Sequence, residues 1–219
     1  MTLDTELARH NMVDKQVRGW DVLDPRVLDA LGAVPREAFV PPAWRALAFA
    51  DLAIPLGHGE CMLKPVVEGR LLQALALTGH EAVLHIGTGS GFLAACLGQL
   101  AAQVTSVDFR ADFSASAQQR LASCAADTVE TVVGDAVREW QPTRQYDVLV
   151  ASGAVAELPP RWRAWLKPGG RLFAFTGHSP SIQARLWQPQ ADGELAVRTL
   201  FETDLPYLHN ASPAPTFAL

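Results

Sequence analysis

The chain has 219 residues, 49% of them hydrophobic, and a formal net charge of −5. That length fits one large α/β domain, or a domain with an added lobe, and the apolar content suffices for a core. The acidic balance gives no case for phosphate-driven binding of DNA or RNA. Three scattered cysteines, Cys61, Cys96 and Cys124, form neither a disulfide framework nor a zinc knuckle.

The N-terminus, Met1 to Glu6, lacks the basic and apolar regions of a signal peptide, and no apolar run reaches a membrane-spanning length. A cytoplasmic protein with no membrane partner is expected. In chain order, Leu7 to Val17 reads as a helix that breaks near Gly19. Asp24 can cap the next helix and Pro25 suits its first turn, with Val27, Leu28 and Leu31 as the apolar stripe. It should stop near Gly32, before Pro35. Phe39 to Pro65, rich in proline and glycine, reads as a structured loop region. Pro65 then opens a helix to about Leu77, with Val67, Leu71, Leu72 and Leu75 inward.

From residue 82 the pattern changes. Ala82 to Ile86 is a short apolar run ending in glycines and predicts a buried strand. A helix over Phe92 to Leu100 follows, then a strand over Val104 to Val107 ending in Asp108. A helix from about Ala111 to Ala125 leads to strands over Val129 to Val133 and Tyr146 to Ala151. This alternation predicts an α/β fold with a mostly parallel sheet. Arg171 to Phe175, Ile182 to Trp187 and Leu195 to Phe201 are further strands. The last two are joined across Ala191-Asp192-Gly193-Glu194, a turn sequence that predicts an antiparallel hairpin. Residues 1–219 are expected to form one domain, with 1–78 a helical and loop segment and 79–219 the cofactor-binding sheet.

The unit from Val83 to Asp108 carries the chemistry. A buried strand runs into Gly87-Thr88-Gly89-Ser90-Gly91, then a helix, then a strand ending in an acid. Glycines there let the backbone turn sharply and let a ligand approach the N–H groups at a helix start. Asp108 at the strand end can accept both hydroxyl hydrogens of a ribose. The plain alternative is a tight turn, with Asp108 capping the next helix. A dinucleotide fingerprint would need a third glycine at position 92, where Phe92 stands. The tighter GxGxG spacing suits S-adenosylmethionine, which has no pyrophosphate to cradle. Asp135, after Gly134 and the third strand, could meet an adenine amino group. No GK[ST] follows the glycines, which excludes a phosphate-loop NTPase. No HxxxH or HExxH occurs, so no metal site is expected.

Several segments resemble the protein-L-isoaspartate O-methyltransferase family over nearly the whole chain. They include Met12 to Gly19, Val34 to Pro41, Ala48-Phe49-Ala50-Asp51, Ile54 to Gly59, Val83 to Phe92 and Leu166 to Leu172. Their order and spacing carry the resemblance. It implies a Rossmann-like methyltransferase sheet, S-adenosylmethionine as cofactor, and methyl transfer to a protein or peptide carboxylate or another small acceptor. The cofactor is then expected at His85, at the loop Gly87 to Gly91 with Thr88 and Ser90, at Asp108 and Phe109, and at Gly134, Asp135 and Ala136.

The chain departs from the family pattern at the acceptor loop. Where the family reads roughly "QTISQP", this chain has Glu60-Cys61-Met62-Leu63-Lys64-Pro65. Cys61 and Leu63 occupy the positions of the family's threonine and serine. Leu63 has no donor, and an ionised Glu60 would repel an acidic acceptor. His85 replaces the family's glutamate before the glycine loop. These changes lead to the expectation that isoaspartyl activity is weak or absent. They leave two readings: an active methyltransferase, or a methyltransferase-like binding module.

Overall fold

In the computed structural model, which describes residues 4–190 and 195–214, helices come first and the sheet follows. Helix α1 (Thr5–Asn11) begins at Asp4, whose carboxylate accepts from Leu7 N. It passes directly into a π-helical turn over Met12–Val17, so the expected single helix is two pieces. Helix α2 (Pro25–Ala33) is built as its sequence suggests, with the Asp24 side chain accepting from Arg26 N and Pro25 in the first turn. A short helix α3 (Arg36–Phe39) and a 3-10 turn at Pro42–Leu47 follow.

The stretch expected to be loop contains a small antiparallel hairpin, β1 (Ile54–Gly57) and β2 (Glu60–Met62). Its turn is Gly57-His58-Gly59, and all three residues have positive φ, at 100°, 56° and 80°. Two glycines take that conformation freely, and only His58 carries its steric cost. Helix α4 (Pro65–Leu75) ends where Ala76 turns left-handed at φ 47°, a little before the expected stop. In its first turn Val66 is buried and Val67 half-buried.

The main sheet has seven strands in the order β5-β4-β3-β6-β7-β8-β9. Its members are β3 (Ala82–Ile86), β4 (Gln103–Asp108), β5 (Val129–Val133), β6 (Tyr146–Val155), β7 (Leu166–His178), β8 (Ser181–Pro189) and β9 (Leu195–Thr203). Pairs from β5 through β7 are parallel, and β8 and β9 are added antiparallel. The expected hairpin between the last two strands is present; its turn lies outside the described residues. Strand β7 is longer than expected because it begins before Lys167-Pro168-Gly169-Gly170, with Tyr146 already paired to Leu166. Helix α5 (Phe92–Leu100) follows β3, α6 (Ala111–Ser123) follows β4, and a one-turn α7 (Arg161–Ala164) precedes β7.

Alternation along the strands sends side chains to two cores. Val83, Val104, Val148, Phe173 and Phe175 join the N-terminal residues Val17 and Leu31 in one cluster. Leu84, Val107, Leu149 and Leu172 join Trp162 and Trp165 in the other. The N-terminal helices thus share a core with one face of the sheet. No helix among the described residues is long and apolar enough to cross a membrane.

Candidate active site

The parallel strands all point their carboxyl ends at one edge, where an α/β sheet normally binds its ligand. The glycine loop leaves β3 there. Gly87 has φ 97°, and an added Cβ would lie 2.8 Å from Ser152 Oγ and 3.3 Å from Leu208 Cδ2. Both are groups of the cavity wall, so only a bare backbone leaves the space open. Gly91 caps α5, and Phe92 behind it is fully buried edge-on to Phe39. Phenylalanine at position 92 therefore serves packing, where a dinucleotide fold would place its third glycine.

Asp108 ends β4 beside this loop and is 8% exposed. Its Oδ2 accepts from Gly89 N at 2.8 Å and its Oδ1 from Arg110 N at 2.9 Å. Burial raises its pKa, and those backbone donors and Arg110 act against the rise. Asp135 follows β5. Its Oδ1 accepts from Val137 N and Arg138 N, at 2.9 and 3.1 Å, and its Oδ2 from Asn210 Nδ2 at 2.7 Å. It is both a turn-former and a wall of the cavity.

One cavity joins these groups. Gly87, Gly89, Asp108, Phe109, Gly134, Asp135 and Ala136 line it from the sheet edge, as the sequence suggests. Glu60, Cys61 and Leu63, of the loop expected to meet the acceptor, line its other side, together with Leu56 of β1. Thr88 and Ser90 instead line a smaller adjoining space with Cys61, Leu63 and Glu68. His85 is fully buried and lines neither space, and Gly91 lies behind the loop. Lys64 is exposed and off the cavity, whereas Arg110 lines it and acts on Glu60. His58 sits in the hairpin turn, with Nε2 3.0 Å from Asp112 Oδ2.

Sequence reasoning missed the fourth wall. Leu205, Pro206, Leu208 and His209, from the segment after β9, close the cavity. That segment is tied down by Leu208 N donating to Ala154 O at 2.8 Å and Ala154 N donating to Pro206 O at 2.9 Å. His209 stacks on Phe109 with ring centroids 3.7 Å apart and planes at 11°. No motif marks this segment; only its position after the last strand could have drawn attention to it.

Burial raises the pKa of Glu60, with Arg110 opposing, and raises the Cys61 thiol to about 11. Cys61 is therefore a neutral thiol at ordinary pH. Among the described residues, no cluster of metal-ligating side chains occurs.

The residues present fit S-adenosylmethionine: a bare glycine cradle, a buried acid at the second strand end, and a second acid after the third. Fold and site together define a Rossmann-like, S-adenosylmethionine-dependent methyltransferase. Comparison narrows this. The family model "Protein-L-isoaspartate(D-aspartate) O-methyltransferase (PCMT)" matches residues 8–207. Protein-L-isoaspartate O-methyltransferase 1 of Rhodopseudomonas palustris (strain HaA2) is 38% identical over 175 residues, covering 80% of this chain and 71% of that protein. Protein-L-isoaspartate O-methyltransferase of Methanoculleus marisnigri is 37% identical over 169 residues, covering 77% of each. The chain belongs to the protein-L-isoaspartate(D-aspartate) O-methyltransferase family, and with it to the S-adenosylmethionine-dependent O-methyltransferases. Among solved structures, a Plasmodium falciparum member of that description, in complex with S-adenosyl-L-homocysteine, superposes with a TM-score of 0.79 at 13% identity. It matches 91% of this chain and 97% of that one, and it shows the shared fold.

Proposed function

We propose that this chain transfers a methyl group from S-adenosylmethionine to the free α-carboxylate of isoaspartyl residues in proteins or peptides. The observation that supports this reading is that one cavity is lined both by the glycine-loop edge of the sheet and by the loop Glu60 to Leu63. Glycine loop, Asp108 and Asp135 lie on one side, with Glu60, Cys61 and Leu63 on the other. The match to the family over residues 8–207 supports the acceptor class. The comparisons give no support to loss of isoaspartyl activity or to an inactive binding module.

S-adenosylmethionine supplies an electrophilic methyl group on a sulfonium. A carboxylate is already a competent nucleophile at neutral pH, so the protein needs no general base. What its residues must do is align the two partners and exclude water. Asp108 and the bare Gly87–Gly89 backbone hold the donor side. Leu56, Leu63, Leu205 and Leu208 supply apolar walls that keep water out. The altered loop is less hostile to an acid than its sequence implies. Burial and the nearby Asp108 raise the pKa of Glu60, and Arg110 supplies an opposing positive charge on the same cavity. Cys61, neutral, keeps an S–H as a weak donor in place of a hydroxyl.

The test is transfer of labelled methyl from S-adenosylmethionine to an isoaspartyl peptide, with the matching aspartyl peptide as control. Methylation of the isoaspartyl form alone is expected. Absence of transfer to it, by protein that binds S-adenosyl-L-homocysteine, would overturn the acceptor assignment.

A further inference from the structure

The glycine loop rests on a buried histidine, and we propose that His85 is a positioning residue that locks the loop through a one-way ring of hydrogen bonds. This rests on the cofactor reading above and goes beyond it. Strand register sets His85 opposite Ser106 on β4 and Val150 on β6. His85 shares a strand face with Val83, so its ring points into the apolar core rather than to the ligand edge. His85 and Ser106 are both fully buried. His85 Nδ1 lies 2.9 Å from Ser106 Oγ, and Nε2 lies 3.0 Å from Ser152 Oγ. Ser106 Oγ is 2.8 Å from Thr88 Oγ1, and Ser152 Oγ is 2.8 Å from the Gly87 carbonyl.

Counting protons fixes every direction. A carbonyl only accepts, so the Ser152 hydroxyl donates to Gly87 O at 2.8 Å, with the Ile86 carbonyl a longer second acceptor at 3.2 Å. Its oxygen is then an acceptor, and His85 Nε2 carries the hydrogen. Burial pushes the His85 pKa down to about 3, so the ring is neutral and Nδ1 accepts. Ser106 donates to Nδ1 and accepts from Thr88. The chain of donors therefore runs Thr88, Ser106, His85, Ser152, Gly87. Positions 87 and 88 are neighbours, so the path leaves the loop at one residue, crosses β4, β3 and β6, and returns at the next.

Histidine suits this place because a neutral imidazole offers a donor on one side and an acceptor on the other. An ionised glutamate offers acceptors only. Ser152 would then donate to the carboxylate, and the Gly87 carbonyl would lose its partner. Glutamine again offers both kinds of group. On this reading the histidine never touches the cofactor; it fixes the backbone that does.

The experiment has two readouts. Nitrogen-15 NMR of the imidazole in the wild-type protein reports tautomer and charge. The neutral Nε2–H form is expected throughout the range of about pH 5 to 8 where an ordinary histidine titrates. Calorimetry with S-adenosyl-L-homocysteine then compares wild type with His85→Gln, His85→Glu and His85→Leu. His85→Gln should bind within about threefold of wild type, while His85→Glu and His85→Leu should weaken binding by about tenfold or more. An Nδ1–H tautomer, titration within that range, or wild-type affinity in His85→Leu would overturn the proposal. If the variants fail to fold, the NMR of the unaltered protein still decides it. Failure of the wild type to bind would sink the cofactor reading separately, leaving the tautomer result to judge the ring.

Discussion

Arg36 and Glu68 form an ion pair sealed from water, with side-chain exposures of 0% and 2%. The same guanidinium donates to the Leu63 carbonyl at 2.7 Å and to the Ala48 carbonyl at 2.9 Å. Its carbon also lies 4.7 Å from the centre of the Phe92 ring. One side chain thus ties the acceptor loop, helix α4 and the start of α5 together.

Removing one partner would strand the other charge in the core. Arg36→Leu is expected to destabilise the fold by about 3–5 kcal/mol, because the Glu68 carboxylate and the Leu63 carbonyl both lose their partner. Urea unfolding measures this. The double variant Arg36→Leu with Glu68→Leu should recover part of the loss, since no lone charge remains. A cost below about 1 kcal/mol for Arg36→Leu would mean the pair contributes no more than a surface one.

Asp108→Ala removes an acceptor from Gly89 N and a carboxylate from the cavity wall, the one proposed to hold the cofactor. A charge-assisted hydrogen bond contributes about 1.5–3 kcal/mol, so affinity for S-adenosyl-L-homocysteine should fall about tenfold or more. Equal affinity of variant and wild type in calorimetry would remove Asp108 from the site.

The acceptor loop offers a gain-of-function test. Replacing Glu60→Gln, Cys61→Thr and Leu63→Ser together restores the family's residue types. The kcat/KM for an isoaspartyl peptide should rise about tenfold, the effect of one recovered hydrogen bond to a carboxylate. Leu63 is 8% exposed and belongs to the core, so the triple variant should also be less stable. Unchanged kcat/KM would show that burial of Glu60 and the Arg110 charge already compensate for the substitutions.

Glu81 should make stability depend on acid. Burial raises its pKa, but donors outweigh it: the Thr78 backbone and hydroxyl and Arg171 hold it down at about 2. An acid held below its ordinary value of 4.5 binds fewer protons folded than unfolded. Its stabilisation is complete above pH 4.5 and fades as pH falls toward about 2. Glu81→Gln should flatten that part of a plot of urea midpoint against pH. An unchanged slope would place the acid sensitivity elsewhere.

The sheet and the cavity at its carboxyl edge were legible in the sequence because each βα unit is self-announcing. The buried run Ala82 to Ile86 ends in glycines, and helix α5 has the predicted bounds Phe92 and Leu100. Asp108 and Asp135 followed from their places at strand ends. The β1–β2 hairpin was hidden because its strands are only four and three residues long and one carries Pro55. Its short strands gave no alternation to read, and glycine and proline dominate its composition. His85, expected at the cofactor, lines neither cavity, for another reason. Adjacency to the loop in sequence suggested contact with the ligand, whereas strand alternation turns its ring away. The roof formed by Leu205 to His209 left no local signal, since it depends on where β9 delivers the chain.

That roof orders events in time. The glycine loop at residue 87 and the acids at 108 and 135 are made early in synthesis, but the cavity has no fourth side until Leu208 and His209 have emerged and docked on Ala154 and Phe109. A ribosome-bound chain that stops short of Leu205 could form its parallel strands and still present only an open trough. A series of stalled nascent chains is expected to show ligand binding only once Leu205 to His209 have been made, with an abrupt onset rather than a gradual rise.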